Sequence, residues 1–232
     1  MKKIQITFDL DWCPDFMIES LINILNNYKV SCIFFATNNS KKLDLIKKKH
    51  KLGIHPNFLN THSINKQISI VKRLIKIVPD AQLIRTHALH MNSNLIHEIF
   101  KNFPQLKHDL SILTYKSKFI SKSSYKFLNT EISRINYNWE DSIAIHDKKF
   151  NWSLLKYFGD KNIYNFHPIH IFYNTKNYNH YLKIKKNRKK LNSQKITDID
   201  KSLINNKTQG VKTFFMKVLD SAELESNIIK KL

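Results

Sequence analysis

Apolar and polar residues alternate from Lys3 to Phe8, with Ile4, Ile6 and Phe8 on one side, and that period of two predicts a buried strand. In DFMIESLINILNNY the period changes: Phe16, Ile18, Leu21, Ile22 and Leu25 recur at helical spacing. VSCIFFAT (30–37) then reads as a buried strand and LGIH (52–55) as a short one. SINKQISIVKRLIKIV (63–78) reads as a helix opened by Ser63 and closed ahead of Pro79, and AQLIRTH (81–87) as a fourth strand. SNLIHEIFKNF is a further helix, started by Ser93 and followed by Pro104, while EISRINYNWED and KNIYNFHPIHIF read as strands that run into polar clusters. Strand and helix thus alternate over the first 170 residues, which predicts an α/β fold with largely parallel strands. Polar clusters at carboxyl ends of strands are where α/β barrels place their chemistry.

The pattern changes near residue 175. NTKNYNHYLKIKKNRKKLNSQK is polar and poorly periodic and reads as a long insertion or loop, about 176–209. About 210–232 reads as closing helices around a Phe214, Phe215, Val218 and Leu219 stripe. Residues 175–232 hold too few apolar side chains for a core of their own, so one domain is expected over 1–232.

At 232 residues and 42% hydrophobic content, the chain can bury a substantial core. No segment approaches the roughly 18 apolar residues of a membrane span, and Gln5, Thr7 and Asp9 interrupt any signal-like run at the start, so a cytoplasmic protein is expected. Cys13 and Cys32 form neither a disulfide framework nor a CxxC metal site. The net charge of +21 raises the question of nucleic acid, but arginine occurs only at 73, 85, 134 and 188, so the excess is almost all lysine spread along the chain. Arginine dominates base readout, and no nucleic-acid motif is present; the pattern is what an A+T-rich coding bias would leave on an ordinary surface, with attraction to anionic substrates or lipid head groups left open.

The stretch TFDLDWCPDF sets acids at 9, 11 and 15 where the first strand ends. Asp9 and Asp11 share one side of that end; unpaired, they would repel and be costly to desolvate, and either a cation or a network of donors removes the cost. The alternative is a turn in which Asp15 caps the next helix and the other two acids are solvated. Four further polar clusters stand in strand-end positions: HPNF (55–58), RTHALH (85–90), NWED (138–141) and NFHPIH (165–170). Each alone has a structural explanation, such as a turn histidine or a buried ion pair.

Taken together, in the order Asp pair, His, Arg, Trp-acid and late His, these clusters resemble the motifs of the polysaccharide deacetylases with NodB homology, carbohydrate esterase family 4. GIHPNF, RTHAL, WED and NFHPIHIF look more particularly like a bacterial branch associated with surface-polysaccharide synthesis. The resemblance covers roughly residues 3–175 and implies a distorted (β/α) barrel of NodB type followed by C-terminal helices. It implies Asp9 as general base, Asp11 and His55 as metal ligands, and His167 as general acid, with His170 in reserve for that role. It also implies that Arg85 orients the base, paired with Asp9 and with Asp141 or Glu140, and that Trp139 and Asp141 buttress it. Asn57, Trp12 and His170 are the candidate substrate contacts.

One departure stands out: the family's second metal histidine falls at Leu59 here, so the third ligand must be His62 or His87. One aspartate and two histidines suit zinc with open positions. The implied activity is removal of an N-acetyl group from an amino sugar, nucleotide- or lipid-linked, by a metal-dependent amidohydrolase. The alternatives are a catalytically silent glycan-binding or scaffolding relative and a metal-dependent hydrolase of a non-sugar amide.

Overall fold

The computed structural model describes residues 2–11, 13–127, 130–187, 195–221 and 224–231. Nine strands form one sheet in the order β6-β7-β5-β4-β3-β2-β1-β9-β8, a curled half-barrel with helices packed against it. The strands are β1 (Lys3–Asp9), β2 (Ile33–Ala36), β3 (Lys51–Ile54), β4 (Leu83–Ile84), β5 (His108–Leu113), β6 (Lys122–Phe127), β7 (Thr130–Tyr137), β8 (Trp139–Glu140) and β9 (Lys161–Phe166). Every ladder is parallel except β6 against β7. The helices are α1 (Asp15–Leu25), α2 (Leu43–Lys47), α3 (Ile64–Ile77), α4 (Ser93–Asn102), α5 (Asp141–His146), α6 (Pro168–Tyr173), α7 (Tyr178–Lys186) and α8 (Val211–Leu219).

Strands buried on both faces read as near-continuous apolar runs, and IFFA of β2 does so for that reason. Ile4, Ile6, Phe8 and Phe34 pack with the apolar stripes of α1, α3, α4 and α8 in the main core. Ile33, Phe35, Leu83, Leu110, Ile135, Tyr137 and Ile163 form a second core on the other face, joined by Ile228 and Ile229. β1 runs between two parallel neighbours, with Thr7 opposite Ile33 and Asn165; its last residue, Asp9, stands opposite Phe35 of β2, one residue past the β9 register.

Several elements differ from the sequence reading. α2, β5 and β6 carry no clear periodic signal, β5 because only three of its six residues are apolar. KNIYNFHPIHIF is a strand only to Phe166; Pro168, at the first helical position, begins α6. α4 takes its cap from Asn92, whose side chain accepts from the Leu95 N–H at 3.0 Å, and not from Ser93. Pro14 precedes α1, and Asp15 accepts from the Ser40 hydroxyl at 2.6 Å, so Asp15 is no N-cap. The stretch expected to be one long loop contains α7, opened by an Asn177 cap onto the His180 N–H. No helix among the described residues is long and apolar enough to cross a membrane.

Candidate active site

The site is assembled from the carboxyl ends of β1, β3, β4, β8 and β9. Backbone pairing continues past the strands: His55 N–H donates to Ala36 C=O at 2.8 Å, Arg85 N–H to Ile54 C=O at 3.1 Å and His87 N–H to Pro56 C=O at 2.9 Å. Backbone bonding therefore holds His55, Arg85 and His87, the last at the start of a short 3-10 turn, in fixed register beside Asp9 and Asp11. After His87 the chain turns sharply away, with Ala88 (φ 52°) and Leu89 (φ 56°) in the left-handed region. Two such non-glycine residues in succession are a local cost that the surrounding structure must support.

The two acids that opened the question have different partners. Asp9 Oδ1 accepts from Arg85 Nη1 at 3.1 Å, and its Oδ2 accepts from the Asn165 amide at 2.7 Å. Asp11 Oδ2 lies 2.9 Å from His55 Nε2 and 2.8 Å from His87 Nδ1, and its Oδ1 accepts from the Thr37 hydroxyl at 3.3 Å. Burial by itself would lift both carboxyls. His55, Arg85 and His167 outweigh it at Asp9, and His55 and His87 outweigh it at Asp11, so Asp9 sits below the usual carboxylate range and Asp11 well below it. Burial lowers the His55 pKa, but Asp11 and Asp9 outweigh that and raise it, the mark of a field that favours positive charge at this point.

Arg85 is fully buried. Its Nη1 donates to Asp9, to Thr7 Oγ1 at 3.0 Å and to Asn165 Oδ1 at 2.5 Å, its Nε to Leu110 C=O at 3.3 Å, and its guanidinium lies between the Phe35 and Tyr137 rings at 4.5 and 4.3 Å. It does not pair with Asp141 or Glu140, as the sequence reading expected. Asp141 instead accepts from His167, Oδ1 lying 2.7 Å from Nδ1 and Oδ2 2.8 Å from the backbone N–H. Glu140 accepts from the Tyr137 and Ser142 hydroxyls. Burial disfavours an imidazolium at His167, but Asp141 more than offsets it and lifts the ring to about 10.

A cavity of about 360 Å³ opens onto Asp9, Asp11, His55, His87 and His167. Its walls are largely apolar, from Leu89, Leu113, Ile143, Ile169 and Ile184, with Glu140, His146, His170, Tyr181 and Lys185 as further polar or aromatic lining. Donor atoms of Asp11, His55 and His87 all lie within 4.8 Å of one another. Neighbouring ligands of a tetrahedral zinc ion stand about 3.4 Å apart, so one carboxylate and two imidazoles grouped this closely make a donor set that fits a divalent ion.

The sequence pattern that defines the WbmS-like polysaccharide deacetylases matches residues 6–185, most of the chain. The chain belongs to that family. It is also similar to the crystal structure of a Bordetella bronchiseptica protein described as a candidate polysaccharide deacetylase involved in O-antigen biosynthesis: TM-score 0.75, 26% identity, 93% of this chain and 89% of that one. The polysaccharide deacetylase Bc1974 of Bacillus cereus matches at a TM-score of 0.42 and 16% identity, over 73% of this chain and 81% of that one. No curated protein matches in sequence.

The remaining candidates fall elsewhere around this deacetylase fold. His62 is exposed and outside the cluster, and Leu59 is also exposed. Asn57 closes a turn by accepting from the Leu59 N–H at 3.0 Å and does not line the cavity. Trp139 is fully buried among Phe150, Trp152, Tyr164, Phe166 and Phe214, beneath the site and not in it. Trp12 lies outside the described residues. His170 borders the cavity with its ring 5.6 Å from that of His167. Asn165, Thr7 and Tyr137 are site residues that the sequence does not single out, and Glu140, expected beside Arg85, meets Tyr137 and Ser142 instead. Only the Thr7–Asn165 register, linking residues at opposite ends of the fold's sequence, brings the first two to Arg85.

Proposed function

We propose that this chain is a divalent-metal-dependent deacetylase that hydrolyses the N-acetyl group of an amino sugar during synthesis of a bacterial surface polysaccharide. The observation that carries this reading is the division of partners between Asp9 and Asp11: one is held by an arginine and an amide, the other by two histidines. Asp11, His55 and His87 would hold the ion. Bound there, it would polarise the acetyl carbonyl and lower the pKa of water.

The chain's own residues supply the rest. Asp9, kept ionised, takes a proton from the attacking water as the new C–O bond forms. Arg85 and Asn165 fix its two oxygens, so the base is pre-positioned. His167, protonated through Asp141, gives its proton to the nitrogen as the C–N bond breaks, releasing free amine and acetate. The apolar walls exclude bulk water and suit the acetyl methyl. Lys185 and His146 line the same cavity, where they suit the phosphate of a nucleotide or lipid carrier. The described role of the Bordetella relative in O-antigen biosynthesis supports the pathway class.

The test is acetate release from a panel of nucleotide-linked, lipid-diphosphate-linked and free N-acetylated amino sugars, with simple N-acetyl amines as controls. Release from sugars with equal appearance of primary amine is expected. Release from non-sugar amides alone would replace the sugar with another amide.

A further inference from the structure

We propose that the chain carries a second divalent-metal site, formed by Asp141, His167 and His170, and that an ion held there blocks the reaction. Donor atoms of these three residues also lie within 4.8 Å of one another, and none belongs to the Asp11, His55 and His87 set. Asp141 and His170 are buried, while both histidines line the cavity, so an ion entering it meets them directly. His167 caps α6 and His170 follows three residues later, a spacing that sets both rings on one side of the helix start. The rings stand 5.6 Å apart at 65°.

The surroundings hold these side chains in place. His170 Nδ1 is 3.2 Å from Thr175 Oγ1, a partner that orients the ring as outer partners of metal-bound histidines do. The His167 backbone N–H fixes one Asp141 oxygen. Glu140 and Asp9 line the same cavity and add negative charge. One carboxylate and two imidazoles make a donor set of the same class as the first. An incoming ion displaces ring contacts in both sets, but Asp141 is also held by the His167 backbone N–H at 2.8 Å, where Asp11 has only the Thr37 hydroxyl at 3.3 Å, so Asp141 turns toward an ion less easily and this site fills after the first. The inhibitory consequence rests on the reading of His167 as proton donor. The ion site itself does not.

The ion site is tested by a zinc titration of the metal-free full chain, followed by equilibrium dialysis and elemental analysis, and its inhibitory role by acetate release from the wild type, which should fall as the weaker ion binds. The wild type should take one tight and one weaker ion. His170→Gln and Asp141→Asn should each keep the tight ion, which reports a folded chain. The second should weaken beyond the ~10- to 100-fold that loss of an outer partner costs. Asp11→Ala should lose the tight ion and keep the weaker. A wild type that saturates at one ion, or a weaker ion indifferent to both His170→Gln and Asp141→Asn, overturns the site. If two ions bind but excess zinc leaves acetate release unchanged, the inhibitory role is overturned while the deacetylase reading stands.

Discussion

Asp9, Asp11, His55, Arg85 and His167 could be picked out of the sequence because each follows an apolar strand and interrupts it with a group that is costly to bury alone. Their partners could not. Arg85 reaches Asn165 across 80 positions, and the Tyr137–Glu140 contact depends on where β7 ends. Leu59 left two histidines open as third ligand, and the backbone bond from His87 to Pro56 sets His87 beside Asp11 while His62 is exposed. Zinc content should accordingly fall in His87→Ala and stay unchanged in His62→Ala; the reverse would move the ligand. A second expectation concerns pH. Since the folded-state pKa of His167 is raised from an ordinary 6.5 to about 10, its contribution to stability is complete below about 6.5 and disappears as pH rises toward 10. Urea unfolding of the metal-free wild type and His167→Gln should therefore differ most near pH 6 and converge near pH 10. A gap that widens with pH would contradict the Asp141 pairing.

At the scale of elements, long periodic segments were legible and short or polar ones were not. α1, α3 and α4 announce themselves by apolar spacing, whereas α7 has only His180 and Ile184 buried and therefore reads as a loop. Its importance comes from position: Tyr181, Ile184 and Lys185 form part of the cavity wall. Asn177→Ala removes the cap on this helix and should cost about 1 kcal/mol in denaturant unfolding, accompanied by a higher KM and little change in kcat. An unchanged KM would show that α7 does not contribute to substrate binding. Gly53 shows another constraint that sequence does not reveal. A Cβ there would meet Leu83 C=O at 2.7 Å and the Phe35 ring at 2.8 Å, so β3 can lie this close to its neighbours, just ahead of His55, only with glycine.

For the whole molecule, the alternation of strand and helix conveyed the α/β class, and parallel pairing from β1 to β5 and on to β7 follows from it. The antiparallel β6 edge and the second core closed by Ile228 and Ile229 depend on long-range packing that no local window contains. The lysine excess behind the +21 charge forms no motif, so duplex DNA binding should be weak, sequence-independent and steeply reduced between 50 and 200 mM salt. Tight, sequence-selective binding would reopen the nucleic-acid reading.

The division of labour between Asp9 and Asp11 is the central claim, and paired measurement of zinc content and acetate release in two variants tests it most directly. Asp9→Asn should retain its zinc and lose about 10²- to 10⁴-fold in turnover, the usual cost of removing a general base. Asp11→Asn should bind the tight zinc more weakly and lose activity in step with the zinc it loses. An Asp9→Asn chain that loses its zinc, beside an Asp11→Asn chain that keeps it, would contradict the account.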